Sequence, residues 1–117
     1  TIIHPSSTIV SKTDFVGCLI YPNVTIMNDC RIGKGVLMNS NSSLGHDTIV
    51  GDFCNINPGA NIAGKVVIGA GTTIGIGTVV RDNIKIGQNV IIGAGSVVVK
   101  DIEDNQVVFG NPARKKK

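Results

Sequence analysis

The stretch from Val66 to Val98, VVIGAGTTIGIGTVVRDNIKIGQNVIIGAGSVV, places an aliphatic residue at every sixth position: Ile68, Ile74, Val80, Ile86, Ile92 and Val98. A helix buries residues about every 3.6 positions and a half-buried strand about every second, so a strict period of six fits neither. It fits a short strand followed by a bend, repeated. The same step runs back through Ile62, Ile56, Val50, Leu44, Met38, Ile32 and Ile26 to Ile20, fourteen aliphatic anchors in all. Four residues after each anchor, from Val24 and Cys30 to Ser96 and Ile102, the side chain is small or β-branched. Glycine follows the anchor directly at seven places: Gly33, Gly45, Gly51, Gly69, Gly75, Gly87 and Gly93. These glycines are expected to relieve the backbone where the chain turns, while the anchors stack on their counterparts in neighbouring coils. One such unit cannot bury its apolar face alone, so only a stack is stable. Paired coils would lie about 4.8 Å apart.

The expected fold is therefore all-β, one parallel β-helix of hexapeptide repeats forming a single domain over residues 1–117. Upstream, His4, Val10 and Val16 continue the step of six, but Val16 to Ile20 spans only four residues, so one side of one coil is expected to be short. Downstream, Asp101, Glu103, Asp104 and Asn105 interrupt the pattern, and Gly110-Asn111-Pro112-Ala113-Arg114 reads as an extended tail leaving the last coil, because Pro112 cannot donate to a ladder. The run Gly69, Gly71, Gly75, Gly77 imitates a phosphate loop, yet its glycines keep the six-residue register and no helix pattern follows.

Composition agrees with such a coil. Apolar residues make up 42% of the chain, with three Phe, one Tyr and no Trp, so Ile, Val and Leu must fill the core. The formal charge of +3 resides in the terminal Lys115, Lys116 and Lys117, which read as a solvated end. The balanced body offers neither the basic face nor the aromatic platforms of a nucleic-acid binder. No apolar run reaches a membrane span, and no charged segment followed by an apolar one opens the chain, so a soluble cytoplasmic protein without a membrane partner is expected. The first residue is Thr1, as in a processed chain or the end piece of a longer one. Cys18, Cys30 and Cys54 show no metal-ligand spacing and are expected to be reduced packing residues.

Few side chains could do chemistry. His4 precedes Pro5 near the chain end, where a structural or incidental role is expected. His46 lies two residues after the anchor Leu44, at a position expected to project outward, and Asp47 follows it. The residues alone leave His46 open as a surface residue or a base.

The segments Gly45-His46-Asp47, Ile49-Val50-Gly51-Asp52-Phe53, Asn57-Pro58-Gly59-Ala60, Ala63-Gly64 and Gly93-Ala94-Gly95-Ser96-Val97-Val98 through Gly110-Asn111-Pro112-Ala113 resemble the hexapeptide-repeat sugar acetyltransferases. Among these the sequence is most similar to sialic acid O-acetyltransferases and nucleotide-amino-sugar N-acetyltransferases. The resemblance implies a left-handed, three-sided helix with eighteen residues per coil, assembled as a homotrimer with active sites between subunits. It also implies acetyl-coenzyme A as cosubstrate, a sugar or nucleotide-sugar acceptor and no metal. His46 matches the family's general base, Asp47 its acidic neighbour, and Gly64 the glycine whose amide faces the thioester carbonyl. Coenzyme A is expected along the groove at Asn55, Ile76 and Ala94, ending near Pro112. Asn55 stands where related enzymes often have a second His, and the N-terminal nucleotide-sugar domain common in the family is expected to be absent. A zinc-dependent carbonic anhydrase on a similar helix needs three histidines, and this chain has two. A non-catalytic assembly subunit of the same fold is the alternative.

Overall fold

The computed structural model describes residues 1–116; Lys117, the last residue of the lysine tail, lies outside them. The described chain is a rod 41 Å long and 20 Å across, built from two- and three-residue strands without a helix. Three sheets form its three sides. Face one carries Ile2–Ile3, Leu19–Ile20, Leu37–Met38, Asn55–Ile56, Thr73–Ile74, Ile91–Ile92 and Val107–Phe109 in parallel order. Face two carries Thr8–Ile9, Thr25–Ile26, Ser43–Leu44, Asn61–Ile62, Val79–Val80 and Val97–Val98, and face three Arg31–Ile32, Ile49–Val50, Val67–Ile68 and Lys85–Ile86. Leu19 pairs with Leu37, Leu37 with Asn55 and Asn55 with Thr73, a register that advances by eighteen residues per coil.

The period of six follows from this geometry. Two residues pair with the coils above and below, the first outward and the second inward, and the next four turn the corner. All fourteen anchors from Ile20 to Val98 are buried, and so are the small partners from Val24 to Ser96. The small positions take Thr, Ser and Cys because each polar atom finds a carbonyl inside the coil. Thr72 Oγ1 donates to Gly87 O at 2.8 Å, Thr48 Oγ1 to Ala63 O at 3.1 Å, and Cys54 Sγ to Gly69 O at 3.1 Å. Among the described residues no buried side-chain polar atom lacks a partner. All three cysteines are free and buried, and burial pushes the Cys54 thiol up from its ordinary range.

Three details correct the reading from sequence. The left-handed turning position is not the residue after the anchor but the third after it: every sixth residue from Gly17 to Gly95 has a positive φ. Gly71 and Gly77 serve this purpose, with φ of 72° and 67°. Gly75 does not; a Cβ there would lie 2.5 Å from Ile92 O, so glycine is required by the coil above. The first coil is short by one residue, since Ile2 pairs with Leu19 and Thr8 with Thr25. Its inward strand positions are consequently Ile3 and Ile9 rather than His4 and Val10. Finally, the tail neither extends nor leaves the coil: residues 110–113 form a turn that brings the chain back, and only Arg114–Lys115 is a strand. Val108 pairs antiparallel with Lys115 and Phe109 with Arg114, and Ala113 N donates to Val97 O at 2.8 Å.

Candidate active site

The corner between faces two and three stacks equivalent turns one above another. Asn28-Asp29, His46-Asp47, Gly64-Lys65 and Asp82-Asn83 occupy successive coils there. Backbone hydrogen bonds join them: Asp47 N to Asn28 O at 3.0 Å, Lys65 N to His46 O at 2.8 Å, and Asn83 N to Gly64 O at 3.1 Å. Asp47 takes the left-handed turning position with φ of 58°, a conformation in which Asn and Asp are less disfavoured than most residues. The bend brings its carboxylate back to its neighbour, and His46 Nδ1 lies 2.9 Å from Asp47 Oδ2. A carboxylate only accepts, so in the neutral imidazole the proton sits on Nδ1 and Nε2 keeps its lone pair. Both side chains remain about half exposed, at 55% and 49%.

The other edge of the ring rests on Gly64. A Cβ at Gly64 would meet His46 Nε2 at 2.7 Å, Cε1 at 2.9 Å and Cδ2 at 3.0 Å. The missing side chain is therefore the seat of the imidazole. Among the described residues no protein group accepts from the Gly64 N–H. The arrangement combines a half-exposed nitrogen base, a carboxylate that orients it and would stabilise its protonated form, and an amide donor one coil above.

The structure brings His46, Asp47 and Gly64 together and leaves the other candidate residues apart from them. Asn55 is the outward residue of a strand on face one. Ile76, 59% exposed, and Ala94 sit on successive coils at the corner between faces one and two. Pro112 is exposed in the C-terminal turn. The width of face two separates the Ile76 corner from the His46 corner. Two small clefts at the C-terminal end, of about 270 and 300 Å³, include Val98, Ile102 and Val108 in one and Pro112 and Arg114 in the other. A larger cleft of about 520 Å³ adjoins Asp47 on its N-terminal side and is lined by Lys12, Asp29, Cys30, Arg31 and Ile49. Sequence inspection missed this cleft. Lys12 lies seventeen residues before Asp29, so the shortened first coil takes it out of the eighteen-residue column. Among the described residues no group of His, Cys, Asp and Glu is arranged to hold a metal ion.

Comparison with known proteins gives one direction. Residues 65–100 match the bacterial transferase hexapeptide (six repeats) family. A mutant of perosamine N-acetyltransferase from Caulobacter crescentus, in complex with CoA and GDP-perosamine, is 32% identical with a TM-score of 0.95, over 98% of this chain and 55% of that one. The acetyltransferase domain of PglB from Neisseria gonorrhoeae FA1090, in complex with acetyl coenzyme A, is 32% identical with a TM-score of 0.77, over 97% of this chain and 56% of that one. WeeI from Acinetobacter baumannii AYE is 30% identical with a TM-score of 0.93, over 97% of this chain and 57% of that one. The chain thus spans little more than half the length of each of these proteins. No curated protein matches it. By its repeat and its coil the chain is a parallel β-helix of hexapeptide repeats, similar to these proteins over little more than half of their length.

Proposed function

We propose that the chain transfers an acetyl group from acetyl-coenzyme A to an amine or hydroxyl of a sugar or nucleotide-linked sugar, with His46 as general base. The observation that carries this reading is the position of the imidazole, held by Asp47 on one edge and seated on Gly64 with the other. The acceptor's N–H or O–H gives its proton to Nε2 as its nitrogen or oxygen attacks the thioester carbonyl carbon. The tetrahedral oxyanion then collapses, the carbon–sulfur bond breaks, and the departing thiolate takes the proton from the imidazolium. Asp47 favours the imidazolium through its charge. The Gly64 N–H, with no protein acceptor, is available to the oxyanion, a contribution of about 3 kcal/mol where such donors have been removed. No cysteine takes part. Similar proteins that hold CoA, acetyl coenzyme A or GDP-perosamine support both the donor and the acceptor class.

The donor groove is assigned to Asn55, Ile76, Ala94 and Pro112, none of which lies on the His46 corner. A neighbouring subunit must supply them, and a closed ring of three copies does so at three equivalent interfaces. The outer row of face one offers Leu19, Ile91 and Val107, all at least 39% exposed, for such contacts. The test is His46→Ala assayed with acetyl-coenzyme A against a panel of nucleotide-amino-sugars and sialic acids. Turnover is expected to fall by about 10² to 10⁴, with the melting temperature unchanged. Near wild-type turnover would overturn the assignment, and the absence of acetyl transfer to any acceptor would favour the non-catalytic subunit.

A further inference from the structure

The 520 Å³ cleft beside Asp47 has a composition that the transfer chemistry above does not use. We propose that it binds the diphosphate of a nucleotide-linked acceptor, with Arg31 and Lys12 as its cationic partners. The proposal rests on the reading that the acceptor is a nucleotide-sugar, and it assigns the residues that hold that acceptor.

Its walls come from three coils. Asp29 and Asp47 are stacked on the corner, one coil apart. Lys12 lies one coil below Asp29, because Thr8 pairs with Thr25 and the ladder continues through Ser11, whose Oγ accepts from Cys30 N at 2.9 Å. Arg31 opens the first strand of face three and points outward beneath Ile49, with which it pairs. Two cations and two carboxylates thus line one cleft, and both cations are exposed. Among the described residues the only ion pairs are His46 with Asp47 and Arg81 with Asp82. Lys12 and Arg31 therefore have their donors uncommitted. Asp29 is held locally, accepting from Asn28 Nδ2 at 3.1 Å, and does not reach across to neutralise them.

That pattern sorts a ligand by charge. A guanidinium offers two parallel N–H donors to phosphate oxygens, and an ammonium adds a mobile point charge. The carboxylates at Asp29 and Asp47 repel phosphate, so a diphosphate settles on Arg31 and Lys12, one and two coils below His46, and the sugar it carries extends up the corner. There the sugar meets the only exposed imidazole on that corner, His46. The volume lies within the range of about 300 to 1,000 Å³ typical of small-molecule sites. Ile49 supplies an apolar surface, 41% exposed, against which a sugar or base can lie.

The experiment is titration calorimetry of the full chain with GDP and UDP, and with GMP and UMP as probes lacking the second phosphate. Arg31→Gln and Lys12→Gln are each expected to weaken diphosphate binding about tenfold, the worth of one charge-assisted hydrogen bond. Both should flatten its dependence on salt. Arg31→Lys should recover part of the loss, and Lys34→Gln, on another corner, should leave binding unchanged. The exposed positions of Lys12 and Arg31 keep the fold out of question, and equal melting temperatures verify it. Diphosphate binding unaltered in both variants, or binding of neither nucleotide by the wild type at millimolar concentration, overturns the proposal. The two readings fail separately. Acetyl transfer to a nucleotide-sugar with an unchanged KM in both variants would remove this site and leave His46 in place. Charge-dependent GDP or UDP binding without acetyl transfer would keep the site and remove the transferase.

Discussion

Adding one methyl group at Gly64 tests whether the imidazole is positioned by the coil above it. The Cβ of Gly64→Ala would lie 2.7 Å from His46 Nε2, whereas ordinary contact begins near 3.4 Å, so the ring edge must retreat by about 0.7 Å. The three nearest atoms to that Cβ all belong to the His46 ring, a surface side chain free to move. Gly64 also lies outside the left-handed region, so alanine adopts its backbone without strain. Replacing glycine under those conditions stabilises a fold by about 0.4 to 1 kcal/mol, which means the melting temperature should hold or rise. Activity should move the other way. A displacement of about 1 Å at a reacting group costs about 10²-fold, and the smaller shift here places the expected loss in kcat between about tenfold and 10²-fold. The assay is steady-state turnover with acetyl-coenzyme A and a verified acceptor, accompanied by a melting curve and by NMR of the His46 ring protons. Full turnover with an undisturbed ring would refute the seat, and so would loss of turnover through unfolding.

Asp47→Asn should lower turnover less than His46→Ala, since it removes charge but keeps both the base and a side chain suited to φ of 58°; Asp47→Ala should add a destabilisation of about 1 kcal/mol, read by chemical denaturation. Ile74→Ala, at a site with no exposure, should cost about 2 to 5 kcal/mol in the same measurement, whereas Ile3→Ala, at 41% exposure on the first coil, should cost far less. The three buried thiols should resist labelling in the native protein because they are shielded from the reagent, and at Cys54 burial also raises the pKa, so its reactive thiolate stays scarce up to mildly alkaline pH. All three should react promptly in denaturant, and fast native labelling of Cys54 would contradict its placement in the core.

The core was legible in the sequence because one requirement, an inward aliphatic side chain, repeats without exception from Ile20 to Val98. The turning position was not. It is occupied by Gly, Asn and Asp but also by Phe53 and Lys65, so no residue type marks it, while the conspicuous glycines after the anchors serve close packing instead. At the N-terminal end a single missing residue shifts the phase, and apolar residues occur at both Ile3 and Val10, which made the wrong register plausible. His46 and Gly64 are eighteen residues apart and became neighbours once the coil length was known. The hydrogen bond from His46 to Asp47 needed the left-handed backbone at Asp47, and the cleft around Arg31 needed the short first coil. The first leaves no trace in spacing; the second left one in the short step from Val16 to Ile20, which showed that a side was shortened but not by how much.

The register of eighteen residues has a consequence for how such a chain can change length. A six-residue insertion between His46 and Gly64 would preserve every anchor in phase and leave the core intact, yet it would carry Gly64 around to another side of the rod. Only an insertion of a whole turn would restore its angular position, and even then the two residues would be separated along the axis. The core therefore reads length modulo six, whereas the corner where His46 rests on Gly64 tolerates no insertion between the two, because only adjacent coils bring them into contact. A length change can pass every test of folding and still take the chemistry apart.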